Sequence, residues 1–348
     1  MRVAIGETFG MAPGSIATGQ LVAGLKRLGF DRVFDTDFSA DLTIMEEGSE
    51  LIERVTTGGV LPIITSCSPG WIKFIETFYP SLLPHLSTCK LPQQIFGALA
   101  KTYYAEKEGL DPANVYSMSI MPCTAKKFEA QRPEMDSSGH QDVDVVLTTR
   151  ELGRMFKQAG IDFSHIAEEK YDDPLGISTG AAVIFGATGG VMEAALRTAY
   201  ELITGETLTS VEFVNVRGLE GVKEATVKVG DLDVKVAVAH GLGNARQLMD
   251  ALQKGEADYH FIEIMCCPGG CIGGGGQPIP TNLEIRGQRI AGIYNADARM
   301  ELRKSHENPA VQQLYQEFLG KPLGHKFHEL LHTHYTPRDR YKVKNTAD

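Results

Sequence analysis

The sequence predicts an α/β fold of mainly parallel sheets covered by helices, and three observations carry that expectation. Short apolar, β-rich runs alternate with amphipathic helical stretches along the 348 residues. The runs are almost continuously apolar, as strands buried on both faces must be. No repeat of fixed period and no low-complexity linker divides the chain, so it reads as two lobes of one unit rather than two independent domains. The elements follow in order. Strands are expected at 3–5, 60–64, 115–120, 143–147, 234–238 and 261–264, each rich in Val, Ile or Phe. Helical patterns lie between them at 19–28, 42–55, 71–78, 93–108, 151–158 and 191–202. The stretch 211–229 alternates more loosely, with charges, and reads as an exposed antiparallel extension. From about Glu301 the pattern is helical again and ends in a charged tail. Turn residues and charges cluster at 136–141 and 168–175, which sets an approximate lobe boundary between 136 and 175 within a single 1–348 domain.

Composition narrows the function. A chain that is 43% hydrophobic and 22% charged is neither disordered nor a coiled coil. Its 34 Lys and Arg against 44 Asp and Glu give a net charge of -10, which removes the electrostatic footprint of a nucleic-acid binder. No apolar run reaches the roughly 18 residues of a membrane span. The first residues lack the pattern of a secretory signal, so the expected location is the cytoplasm, where structural disulfides are rare. The six cysteines, at 67, 89, 123, 266, 267 and 271, then need another explanation.

Three cysteine-bearing segments share one design. An apolar run enters Ser66-Cys67-Ser68-Pro69-Gly70, a second enters Met121-Pro122-Cys123, and a third enters Met265-Cys266-Cys267-Pro268-Gly269-Gly270-Cys271. Each places a thiol just past the carboxyl end of a predicted strand, where open parallel sheets bind their ligands. Pro and Gly beside each cysteine make tight turns whose N–H groups are free to face an anion or a cluster sulfide. For Cys89 in Leu-Ser-Thr-Cys-Lys, simple packing is as good a reading. For Cys267 and Cys271 it is much weaker, because thiolates so spaced select zinc or an iron–sulfur cluster. A zinc module would close over paired C-x₂₋₄-C spacings; here the partners lie far upstream in a large core, which favours a cluster assembled between lobes.

At these residues the chain resembles the iron-only ([FeFe]) hydrogenases. The family's three signatures read here as Thr65-Ser66-Cys67-Ser68-Pro69-Gly70-Trp71, then Met121-Pro122-Cys123-Thr124-Ala125-Lys126-Lys127-Phe128-Glu129, then Glu263 through Pro278. The likeness runs from Arg2 to the C-terminal His-Glu-Leu-Leu-His segment. It implies two lobes with mainly parallel four-stranded sheets, and an H-cluster in the cleft between them. That cofactor is a [4Fe–4S] cubane joined through one cysteine to a diiron subcluster with CO, cyanide and azadithiolate ligands. By position, Cys123, Cys267 and Cys271 are implied cubane ligands, with Cys271 the bridge. The fourth ligand position falls on Ser68, because Cys67 matches the proton-relay thiol. Ser68, Cys67, Cys89 and Cys266 all remain open as the fourth ligand; an engineered substitution at Ser68 is a further reading.

The resemblance also implies a proton path from Cys67 through Glu47, Ser87, Glu50 and Arg54. Glu47, Glu50 and Arg54 share one helical face, and Glu50 with Arg54 would form a surface pair in any case. Lys126 and the Pro92–Gln93 segment are implied donors to cyanide, and Met121, Met265 and Phe185 an apolar lining; their bland alternative is core packing. The Gly186–Gly190 run matches no nucleotide loop and reads as tight packing at a helix start. The chain opens at Arg2 without the short Ala-Pro segment of relatives, which reads as a truncated product, a misplaced start or an isolated domain. Accessory ferredoxin-like domains are not expected, so electrons would pass directly to ferredoxin or an iron–sulfur electron-transfer subunit, and maturation proteins would assemble the cofactor. The expected activity is 2H⁺ + 2e⁻ ⇌ H₂. The alternatives are a non-catalytic hydrogen sensor or iron–sulfur scaffold that keeps only the cubane and, last, a zinc-stabilised α/β protein.

Overall fold

A computed structural model of the chain describes residues 1–230 and 232–340. The end of the predicted charged tail, 341–348, lies outside them.

Six strands form two sheets among the described residues. They are β1 (Ile63–Ile64), β2 (Met118–Met121), β3 (Val145–Thr148), β4 (Val222–Val229), β5 (Leu232–His240) and β6 (Phe261–Met265). The larger sheet has the order β1-β6-β5-β4. In it β6 runs parallel to β1, with Ile63 opposite Phe261, and parallel to β5, with Val236 opposite Phe261. Strand β4 pairs antiparallel to β5 at the edge. The smaller sheet is the parallel pair β2-β3, with Met118 opposite Val145.

Period-two alternation sorts the larger sheet into two buried faces. Val236, Val238 and Phe261 point to one side, against Val191, Met192 and Leu196 of the helix Gly190–Thr204. Ala237, Ala239, Ile262 and Ile264 point to the other. There they meet Trp71, Ile72 and Ile75 of the helix Pro69–Phe78, and Leu248 and Met249 of the helix Leu242–Gln253. Burial on both faces is why these strands read as almost continuous apolar runs.

The fold class is the expected one, and several elements differ in detail. The predicted strand at 3–5 is not a strand: Ala4 and Ile5 donate their N–H groups to the Met1 carbonyl and lead into the 3₁₀ turn Ile5–Phe9. Ile5 is still wholly buried, beside Leu21 and Phe156. A short buried run gives periodicity too little length to separate strand from turn. The helix at 93–108 is regular over Pro92–Leu99 and then loosens into a π-helical turn at Ala100–Tyr104. The antiparallel extension begins only at Val222. The second sheet has two strands rather than four. The helices Leu242–Gln253 and Leu283–Ala298 were not anticipated.

The turn-rich stretch near 136–142 is anchored, not loose. Asp142 takes the ammonium of Lys90 at 2.9 Å, both side chains fully buried, and Ser137 accepts from the same ammonium at 2.5 Å. A buried charge so paired avoids the several kcal/mol cost of an unpaired one. Among the described residues no helix is long and apolar enough to cross a membrane.

Candidate metal centre

Parallel pairing of β1 with β6 brings the first and third cysteine segments out at the same sheet end. Beyond β1 the chain turns at Thr65–Ser68 into the helix Pro69–Phe78, with Ser68 at its N-cap and Pro69 in the first turn, where a missing N–H costs nothing. Trp71 Nε1 donates to the Thr65 carbonyl at 3.2 Å, and the Cys266 N–H donates to Ser68 Oγ at 3.1 Å. The second segment leaves β2, in the other sheet, and is reached by the glycine tract. The Gly276 N–H donates to the Pro122 carbonyl at 2.9 Å. A Cβ on Gly274 would stand 2.2 Å from that oxygen. Gly270, at φ 93°, would meet the Thr188 nitrogen at 2.8 Å. Only glycine permits such approach, and through it Cys123 comes beside Cys267 and Cys271.

All six thiols are free. Cys271 is pushed up to about 12 by burial first, then by Cys123 and Cys267 facing it. Burial also raises Cys123, against Lys126 and the N–H groups of Ala125 and Lys126, which favour its thiolate. Cys267 goes the other way because the Cys266 thiol donates to it and the Gly275 N–H points at it. Thiols in mutual view with N–H donors aimed at them are a soft-metal donor set.

Their spacing decides between zinc and a cluster. A tetrahedral zinc with Zn–S bonds of about 2.3 Å holds its sulfurs about 3.8 Å apart. Among the described residues no three cysteine sulfurs lie within 4.8 Å of one another. The group that does is Glu201, His306 and Glu307, and Lys304 already neutralises both carboxylates at 2.8 and 2.7 Å. The thiols therefore fit a larger, multi-iron group better than one zinc ion.

A cavity of about 540 Å³ opens on one side of the thiols. Lys126, Pro92, Gln93, Met121, Met265 and Phe185, the predicted lining, all border it, together with Cys67 and Cys271. Lys126 Nζ pairs with Glu129 at 2.8 Å. Gln93 is held at both ends: its Oε1 accepts from Ser119 Oγ at 3.0 Å and its Nε2 donates to the Lys126 carbonyl at 3.3 Å. Beside the thiols Lys126 offers one cation and Gln93 one oriented amide against the apolar Met121, Met265 and Phe185, which suits a ligand with few acceptors and an apolar remainder; farther out the same cavity is lined by charged groups, among them Arg2, Arg32, Asp35 and Asp37. Cys271 alone belongs both to this lining and to the facing thiols.

Cys67 lies on the cavity side, raised well above the ordinary thiol range by burial and then by Glu47 and Glu263. Behind it Glu47 is buried, with Ser87 and the Ser66 N–H as its polar neighbours. Ser87 Oγ donates to Glu50 Oε2 at 3.2 Å, and Glu50 Oε1 accepts from Arg54 at 2.5 Å. Arg54 also donates to the carbonyls of Val60, Pro84 and Leu86, which fixes it near the surface. Of the five residues expected on the path, Ser87, Glu50 and Arg54 are joined by hydrogen bonds, while Glu47 is buried with neither carboxylate oxygen hydrogen-bonded.

Burial lifts Glu47 from 4.5 to about 8. A carboxyl raised on folding contributes stability below its unfolded value of about 4.5 and loses it as pH rises through about 8. Glu47→Gln is therefore expected to be more stable than the parent at pH 8 by on the order of a few kcal/mol, and to differ little at pH 4.5. Urea unfolding midpoints across that window measure it; parallel pH profiles of parent and variant would refute it.

Sequence reasoning missed Glu263 and Glu129 as working residues. Glu263 is a fully buried carboxylate in β6 that accepts the N–H groups of Gly189 and Met192 at 2.6 and 2.8 Å, at the N-terminus of the helix Gly190–Thr204. Its signal was legible: one acid inside the apolar run of β6. Cys89 is not brought to the site; it packs with Phe38, Leu42 and Ile95.

The chain matches the family "Iron only hydrogenase large subunit, C-terminal domain" over residues 1–275, and "Iron hydrogenase small subunit" over 283–338. It is 56% identical over 347 residues to the NADP-reducing hydrogenase subunit HndD of Solidesulfovibrio fructosivorans, covering 98% of this chain and 59% of that protein. It is 54% identical over 313 residues to the periplasmic [Fe] hydrogenase large subunit of Nitratidesulfovibrio vulgaris, covering 89% of this chain and 74% of the other. The apo [FeFe]-hydrogenase HydA1 of Chlamydomonas reinhardtii superposes with a TM-score of 0.85 at 48% identity, over 97% of this chain and 92% of that one.

Proposed function

The chain belongs to the iron-only hydrogenase family, and from that premise we propose that it catalyses 2H⁺ + 2e⁻ ⇌ H₂. In this reading the two sheets are two lobes of one catalytic unit. Cys123, Cys267 and Cys271 hold a [4Fe–4S] cubane, and the cavity holds a diiron subcluster with CO, cyanide and azadithiolate ligands. The observation that carries the reading is Cys271, which faces the other two thiols and borders the cavity at once. When bound, the diiron group supplies a Lewis-acidic iron with an open position and a basic amine beside it.

The chain's own residues do the rest. Lys126 and Gln93 would be the donors to the cyanide ligands. Met121, Met265 and Phe185 would wall the CO ligands from water. The Cys67 thiol takes or gives the proton at the cavity that it borders, a thiol being a stronger acid than a hydroxyl in the same surroundings. Glu47, protonated near neutrality by its burial, passes it on, and Ser87, Glu50 and Arg54 carry it outward. A cubane held by these thiols would supply the electron relay to a ferredoxin or iron–sulfur subunit, and maturation proteins would be needed to insert the diiron group.

A cubane-only scaffold would need neither Cys67 nor Lys126 at the cavity. Iron content separates the readings. After anaerobic loading with a synthetic diiron complex, about six iron atoms per chain, CO and cyanide infrared bands and H₂ evolution from reduced dye are expected; about four iron atoms without turnover would support the scaffold.

A further inference from the structure

A cubane takes four thiolates, and Cys123, Cys267 and Cys271 supply three. Cys89 is fully buried among apolar side chains, and its charged neighbours are Glu46, Glu47 and Glu50 rather than any thiol. Cys67 lies on the cavity side, facing Glu47 and Glu263 and, of the three thiols, Cys271 alone. Ser68 offers a hard hydroxyl in place of a soft thiolate, and its oxygen already accepts the Cys266 N–H at 3.1 Å.

Cys266 is placed differently. Its thiol donates to Cys267 and faces Cys123, two members of the set. It lies against the first turn of the helix that Ser68 caps, so close that a Cβ on Gly70 would stand 2.7 Å from its Sγ. The sulfur thus sits in front of the backbone from which a ligand at position 68 would reach. Gly70, by carrying no side chain, leaves the room for it. The hydrogen bond from Cys266 N–H to Ser68 Oγ joins the two positions directly.

We infer that Cys266 is the fourth cubane thiolate of this protein, standing in for the sulfur that Ser68 does not carry. The inference rests on the proposed reading that these thiols hold a cubane. On coordination the Cys266 thiol releases its proton to solvent and exchanges its hydrogen bond to Cys267 for a bond to iron. Ser68 keeps a structural part, orienting the Cys266 backbone.

The test is anaerobic reconstitution of the full chain with iron and sulfide alone, with iron and sulfide counted and the dithionite-reduced cluster observed by electron paramagnetic resonance. The parent and Ser68→Ala are expected to hold about four iron atoms. Cys266→Ala is expected to fall to about three or fewer and to lose the reduced-cubane signal, and Cys266→Ala/Ser68→Cys to recover both. Cys266→Ser, which keeps the volume but exchanges sulfur for oxygen, guards against misfolding and is expected to fail like the alanine variant. Full iron and an unchanged spectrum in Cys266→Ala would overturn the assignment while leaving the cluster reading intact. So would loss of iron in Ser68→Ala with retention in Cys266→Ala. A parent that takes up no iron would overturn the cluster reading and this inference with it.

Discussion

Cys271→Ala is expected to abolish H₂ turnover altogether, with CO and cyanide infrared bands absent after exposure to a synthetic diiron complex. The expectation follows from the double membership of this thiol: it borders the cavity and faces Cys123 and Cys267. Removing any other thiol of the set would weaken the cubane alone. On the proposed assignment, removing this one would take a ligand from the cubane and the tether from the group in the cavity. Iron should drop from about six atoms per chain to fewer than four. The fold should persist, because Cys271 sits in a short 3₁₀ turn, Cys271–Gly273, whose backbone bonds do not use the side chain. Near-parent circular dichroism with fewer than about four iron atoms per chain is the predicted combination. Turnover at parent rate would remove Cys271 from the centre.

Cys67→Ala is expected to lower H₂ evolution by about 10² to 10⁴ while leaving iron content and the infrared bands in place, the range typical of a lost acid–base group. The physical reason is a broken file of proton carriers. Cys67 is the member that borders the cavity, and the next, Glu47, is buried behind it without a hydrogen-bond partner for either carboxylate oxygen. Outward from there the chain is hydrogen-bonded from Ser87 to Glu50 to Arg54. A methyl group at position 67 leaves the cofactor seated but unable to exchange protons. Cys67→Ser should retain little more activity, because a hydroxyl is far less ready than a thiol to part with its proton. A rate within a few fold of the parent, with full cofactor loading, would take Cys67 out of the path.

Much of the site was legible in the chain because its signals are local. A thiol one or two residues past an apolar run, next to Pro or Gly, states a strand end and a turn without any long-range information. Glu47, Glu50 and Arg54 share a helical face by spacing alone, and the helix Asp37–Thr57 carries all three. Fold class was legible for the same reason: the two-sided burial of β5 and β6 is written as continuous apolar runs. The strand expected at 3–5 failed where periodicity had three residues to act on. The helix Leu283–Ala298 was missed because its apolar positions make no clean stripe, most of its sequence being polar or small. Glu263 was overlooked because a lone acid in an apolar strand signals a buried partner without saying which one; Gly189 and Met192 lie over 70 residues away in the chain.

The sequence by itself determined most of the longer elements, the thiol-bearing turns and the helical face of acids, because propensity, periodicity and turn chemistry act over a few residues. Tertiary structure alone decided which sulfurs meet. Adjacency of β1 to β6 sets Ser68 against Cys266, the bare glycine tract draws Cys123 to Cys267 and Cys271, and Cys89 is folded away into an apolar cluster. Those distances depend on sheet order and close backbone approach between residues far apart in the chain, which no local pattern encodes.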